Sequence, residues 1–345
     1  MMQTSPFSLP SLVAGAIAVA LNVYLLTGGA DFGGGLWDLL ASGPRREQQR
    51  ALIADAIGPI WEANHVWLIL VVVLLFTGFP VAFARLMTTL HIPLSLMLLG
   101  IVLRGSAFTF RSYDSRRDTV QRRWSRLFAI ASTATPVLLG LIVGAVASGN
   151  VREPPSTRGT FAAAYVWPWL SPFTLGVGVL ALALFAFLAA TYLTVEAEDT
   201  ALREDFRRRA LGVGLVVLVI ASADLLVAAV SVPRMWSALS GGVMALAFHL
   251  ATGVAAAVAI AALWTRRYRH ARTAAGIQAS LILWGWVAGQ YPYIVPPDLT
   301  VAAAAAPSVT LELLCWTLGV GLLVLIPSLR HLFRVFKGEQ KTKLM

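Results

Sequence analysis

An acid, an amide and an imidazole crowd one stretch of the chain, GPIWEANHVWLIL at 58–70, where a run begins that reads like a membrane span. Glu62, Asn64 and His65 fall within four positions, flanked by Trp61 and Trp67. On a helix Trp61, Asn64, His65 and Leu68 share one face, and Glu62 and His65, three apart, can touch. A second acid, Asp31, follows the preceding apolar run in TGGADFGGG. A carboxylate inside a span costs at least ~2.5 kcal/mol, so acids there are few. Two shielded carboxylates bracketing one connection suit proton transfer, because burial and neighbours tune when such a group loads and releases a proton. The plainer alternative is that each sits at the membrane interface and caps a helix. Trp61 and Trp67 suit interface anchors, although Trp61 could also stack on a ring such as a quinone. Asp224, in IASADLLVAA, is the deepest acid and calls for an arginine or hydroxyl from a neighbour, while Glu312 lies near an outer span end.

A bis-His haem needs two imidazoles facing each other across one ring. His270 and His331 lie in basic segments, and the spacing of His65, His91 and His249 sets up no such pair. Each span histidine is read instead as hydrogen-bonded to a neighbouring helix. Cys315, the one cysteine, sits in an apolar run and reads as a small core hydrophobe. No phosphate-binding loop, dinucleotide fingerprint or HExxH pattern is present. The glycines of GGADFGGG follow a membrane helix, which fits close helix packing or a flexible turn better than phosphate binding.

The elements that must position these groups are membrane helices. Of 345 residues 58% are apolar and only 13% charged, against about 25% charged in soluble domains. Nine apolar runs can be drawn, at 9–27, 60–78, 80–103, 125–147, 164–193, 210–230, 242–264, 273–290 and 309–333. They read as helices, because alternating strand patterns are absent. The first run has no basic residues before it and is expected to be a retained span, not a signal peptide. With the N-terminus outside, 23 Lys and Arg fall on the inner side and four (Arg85, Arg152, Arg158 and Arg234) on the outer. That asymmetry supports nine spans, N-terminus out and C-terminus cytoplasmic. The +10 net charge thus sets orientation, and nothing indicates a nucleic-acid module. Residues 1–345 read as one polytopic membrane domain, with a short amphipathic helix at 43–57 whose Leu52, Ile53 and Ile57 face lipid or protein.

The order DFGGG, GPIWEANHVWLI, LRGSAFTFRS, YLTVEAE and YPYIVPPDLTV resembles subunit II of the cytochrome bd-type quinol oxidases, from about residue 15 to the last span. Most specific is Pro59-x-Trp61-acid-x-Asn64-x-x-Trp67-Leu68. Arg104 with Phe108 and Arg111, and Tyr291-Pro292-Tyr293 before Pro296, follow. The resemblance implies an all-α membrane fold of two four-helix bundles plus a peripheral helix. It implies a complex that reduces O2 with electrons from quinol. The haems, two of b type and one of d type, would belong to subunit I, and this chain would carry none. Asp31 and Glu62 match proton-pathway acids, Trp61 an aromatic beside a bound quinone, and Arg104 a buried arginine. Asn64 and Trp67 complete the quinone or partner contacts, and small accessory subunits are further partners the family allows. The chain departs from the pattern at four places: Gly28 and Thr109 stand where acids are usual, Ala302-Ala303 replaces a Trp-Asp pair, and Trp61-Glu62 stands for the usual Trp-Asp. Two other readings stand beside it: a proton-coupled transporter using Glu62 and Asp224, and a membrane scaffold without chemistry.

Overall fold

The structure, a computed structural model, describes residues 8–57, 61–113, 118–151 and 159–342, with the side chains of 61–63, 111–113, 118–122 and 332–342 outside that description. Helix α1 (Leu9–Leu39) is 31 residues long, about 47 Å at 1.5 Å per residue. It does not stop at residue 27 as the apolar run implies. It continues through the glycine-rich segment, because each small residue there is pressed against a neighbour. A Cβ at Gly33 would collide with the Phe185 carbonyl, one at Gly35 with Ser132, and one at Gly34 would meet Ile57. Close packing, not a turn, is therefore the use of these glycines. Asp31, placed by the sequence in a cytoplasmic connection, lies inside α1 and is 4% exposed.

Helix α2 (Arg46–Ile57) is the amphipathic segment anticipated from sequence. Its apolar face meets protein: Ile53 and Ile57 are buried in the core shared with Trp37 and Phe187. Its entry is tied to a later helix, since Arg45 grips Asp205 through two hydrogen bonds of 2.8 and 2.6 Å.

The next two apolar runs divide differently from the sequence reading. Helix α3 (Trp61–Gly78) ends at the buried Phe79, and α4 (Pro80–Thr89) leaves it at 118°. Pro80 occupies the first turn, where a proline's missing N–H costs nothing. Residues 80–90 are thus a short folded-back helix and not the start of a span from 80 to 103. Helix α5 (His91–Tyr113) begins at His91, which stands at a helix start and not mid-span. Arg104 lies within α5 and is buried, so the inner-side charge tally loses one member.

Helix α6 (Asp118–Ser148) completes a first group with α1, α3 and α5. After the short α7 (Phe161–Tyr165) comes α8 (Pro172–Glu196), opened by a reciprocal capping box between Ser171 and Thr174. With α9 (Thr200–Ser231), α11 (Gly242–Trp264) and α12 (Tyr268–Gln290) it forms a second group, while α10 (Pro233–Ser240) turns between α9 and α11. The groups meet along α1, α6 and α8. Small residues permit close approach there: a Cβ at Gly140 would sit 2.6 Å from the Gly178 Cα. A hairpin of β1 (Tyr293–Val295) and β2 (Leu299–Thr300) follows α12 and is pinned by Arg85 on Asp298 at 2.8 Å and by Arg234 over the Tyr293 ring. Helix α13 (Ser308–Thr342) lies on α1 and α3 with most of its described surface exposed.

Among the described residues, seven helices are long and apolar enough to cross a membrane, or eight with α3 and α4 taken as one bent span. Helix α12, drawn as a span from sequence, has the length at 23 residues but carries Gln278, Ser280 and Gln290.

Candidate functional site

The helix periodicity of α1 puts Tyr24, Gly28, Asp31, Phe32 and Gly35 along one side, facing α3, α5 and α6. Asn64 on α3 donates a hydrogen bond from Nδ2 to Oδ2 of Asp31. Arg104 on α5 is 1% exposed and donates from Nε to Ser132 Oγ on α6 at 3.1 Å. Its guanidinium lies between two ring faces, 4.7 Å from the Phe32 centroid and 5.4 Å from that of Phe128. Such desolvated cation–π contacts are worth about 2 kcal/mol or more. They offset part of the several kcal/mol that burying a guanidinium costs. Asp31 and Arg104 also interact electrostatically without a direct ion pair, and Tyr24 shares their field. Nη2 of Arg104 has no hydrogen-bond partner among the described residues.

His65 turns its ring toward the same cluster, 6.0 Å between centroids from both Tyr24 and Phe32. Trp67 packs on the aromatic group of Tyr24, Phe32 and Phe185. It forms a partly buried wall of the site. Asp31 and Asn64, which the sequence reading placed near one another, are joined, and Arg104, which that reading counted among the inner-side loop charges, stands beside them. The side chains of Trp61 and Glu62, and Pro59 with them, lie outside the described residues; the α3 backbone places Glu62 two positions before Asn64.

Tyr24, Phe32, Phe128 and Ser132 escape a reading based on charged residues. The available signal was position: Tyr24 precedes Asp31 by seven residues, two turns on one helix face. It also accounts for Gly28. A Cβ at 28 would meet the Tyr24 Cε2 atom at 2.8 Å, so the tyrosine ring occupies the space an acidic side chain there would need. Gly28→Glu is expected to lose about 1–3 kcal/mol to overpacking, read as a lower yield of folded protein from membranes. Adding Tyr24→Ala to that variant should restore the yield.

The remaining polar positions stand apart. Asp224 on α9 is 8% exposed and lies against the Gly176 backbone; among the described residues no arginine or hydroxyl bonds to it, and its Oδ2 has no partner. Thr109 bonds back to Gly105 O of its own helix at 3.1 Å, and Thr300 Oγ1 accepts from Ala303 N at 3.1 Å. His249 bonds to Ala245 O of its own helix at 2.8 Å, whereas His91, at the start of α5, bonds to Thr88 O at the end of α4 at 3.0 Å and sets its ring edge-on to Tyr165 of α7.

Fold and site together define a polytopic helical membrane protein with a sealed acid–amide–guanidinium cluster in its first helix group. The family model for cytochrome bd terminal oxidase subunit II matches residues 9–336, and the chain belongs to that family. It is similar to a putative cytochrome bd menaquinol oxidase subunit II of Bacillus subtilis, 24% identical over 92% of this chain and 93% of that one. It also resembles the cytochrome bd-I ubiquinol oxidase subunit 2 of Escherichia coli K12, 25% identical over 51% of this chain and 46% of the other. A chain of the bd oxidase structure from Geobacillus thermodenitrificans shares the fold, with a TM-score of 0.73 at 19% identity, covering 95% and 98% of the two chains. The protein is therefore a multi-pass inner-membrane subunit of a bacterial bd-type terminal oxidase.

Proposed function

We propose that this chain is the haem-free subunit II of a quinol:O2 oxidoreductase, paired with a haem-bearing subunit I, and that Asp31 and Glu62 carry protons inward from the cytoplasmic side. The observation that supports this most directly is the Asp31 carboxylate, sealed within α1 and held by Asn64 beside Arg104. A buried acid that only capped a helix would sit at a helix end; Asp31 has eight further helical residues after it. The b- and d-type haems of the partner would supply electron transfer and oxygen reduction.

In this reading Asp31 holds a proton at a carboxylate oxygen. Asn64 fixes the position of Oδ2 through its Nδ2–H, and because an amide does not ionise it orients without relaying. Arg104 counters the negative charge, while Phe32 and Phe128 keep water from the guanidinium. Glu62 is the earlier acid on the route. Counting α12 and the bent α3–α4 pair as crossings gives nine spans, N-terminus outside. A quinone beside Trp61 and small accessory subunits belong to the same reading. So does the quinol substrate, since the named relatives are menaquinol and ubiquinol oxidases.

The test is co-purification from membranes. The chain should come with a companion showing b- and d-type absorption, and Glu62→Gln should slow quinol-driven oxygen uptake about tenfold or more with haem content unchanged. Full turnover in that variant would leave a scaffold role, and a stable pigment-free protein that moves a solute in vesicles would leave a transporter.

A further inference from the structure

The second helix group carries a lateral groove that the proton reading does not use. It holds about 620 Å³ and lies between α12 and the helices α1, α8 and α11. Its floor is a single stripe of α12. Arg272, Gly276, Ser280 and Trp284 follow at intervals of four, and the two small residues in the middle open the channel between the large ones at its ends. From Arg272 to Trp284 the stripe runs about 18 Å. That is close to one leaflet, half of the ~30 Å hydrocarbon core.

The two ends differ in chemistry. At one, Phe248 and Trp284 line the groove. At the other, the Arg272 guanidinium stacks over Tyr192, 4.7 Å to the ring centroid, and donates from Nη1 to Glu196 Oε1 at 3.2 Å. That bond uses one of the five donors of the guanidinium. The segments that meet at this end, 194–209 and 265–272, contain eight arginines against five acids. Arg272 is the one cationic side chain lining this groove, and a guanidinium at the end of an apolar slot one leaflet deep, beside segments of net positive charge, selects an amphiphile with an anionic head. Arginine suits phosphate because its planar fork can engage two oxygens at once.

We propose that this groove binds an anionic phospholipid, its phosphate at Arg272 and one acyl chain along Gly276 and Ser280 toward Trp284. The uncharged ring of a quinone would gain less from this guanidinium. The inference needs only that these helices cross a membrane. Its failure would leave the proton reading untouched.

The purified oxidase complex is exchanged into an equimolar mixture of phosphatidylcholine and phosphatidylglycerol, and retained lipid is weighed by native mass spectrometry. The wild-type complex should retain phosphatidylglycerol in excess. Arg272→Gln should cut that retention about fivefold, the share of one arginine in attraction to an anionic headgroup, and Arg272→Lys should keep most of it. Gly276→Leu should abolish retention while leaving the Arg272–Glu196 pair in place. A Cβ at 276 has room, its nearest neighbours being 3.7 Å away, so the longer side chain fills the groove and not the helix contact. If Arg272→Gln prevents assembly, Gly276→Leu decides alone. Equal retention of the two lipids by the wild type, a quinone held in their place, or undiminished retention in Gly276→Leu would overturn the proposal.

Discussion

Asp31→Asn is expected to lower quinol-driven oxygen uptake about a hundredfold, the usual scale for removing a proton-transferring group. The partner's haem spectrum and the yield of complex should stay as they are. The replacement is nearly isosteric and still offers an oxygen to Asn64 Nδ2. Arg104 keeps Ser132 and its two ring faces. What disappears is the group that can take up and release a proton. The matched control is Asp224→Asn. That acid lies against Gly176, on the other helix group from Asn64 and Arg104, and its loss should leave turnover unchanged. Uptake within twofold of wild type in an Asp31→Asn complex with full haem would remove Asp31 from the proton route.

Gly33→Leu should have the larger structural effect. A Cβ at this position would overlap the carbonyl oxygen of Phe185 and crowd Ala189. Because the first obstacle is backbone, α1 and α8 must separate. Overpacking costs typically 1–3 kcal/mol and more where nothing can yield. Separation would also break the 2.8 Å hydrogen bond from Trp37 Nε1 to Ala186 O. The complex should be absent from membranes of cells making this variant. Gly15→Leu, on the same helix but with nothing within 4 Å of an added Cβ, should accumulate normally. Equal accumulation of the two would show that the α1–α8 contact is not what holds the two helix groups together.

The residues that proved central were legible because polar groups in an apolar chain are conspicuous. Asp31 stood out on cost, Asn64 as a polar neighbour of Glu62 and His65, and Arg104 only through the family resemblance; in the structure Asn64 bonds to Asp31, and Arg104 lies close enough to share their field. What that reading misplaced was their surroundings. Glycine is a poor helix former in isolation, so GGADFGGG marked the end of a span, whereas tertiary contacts carry α1 on to Leu39. Gly78-Phe79-Pro80 was rightly taken as a break. The sequence does not show that the chain then folds back through 118° before the next crossing, because a ten-residue amphipathic helix is too short to show against the apolar run after it. Trp67 had the composition of an interface anchor, and only packing reveals it as a wall against Tyr24 and Phe32. Asp224 is buried, though less so than Asp31, and does not have the expected partner: its carboxylate faces the glycine backbone at 176.

The length of α1 has a consequence for how such a chain can diverge. One uninterrupted rod carries Tyr24, Asp31 and Phe32 toward one set of neighbours, and Gly29, Gly33 and Trp37 toward another. Each added or deleted residue turns everything beyond it by about 100°. A single insertion between 24 and 37 would swing the carboxylate out of register with Asn64 and drive bulk into the seam at Phe185. Length changes are therefore confined to the connections, and this stretch can drift in residue type but not in residue number.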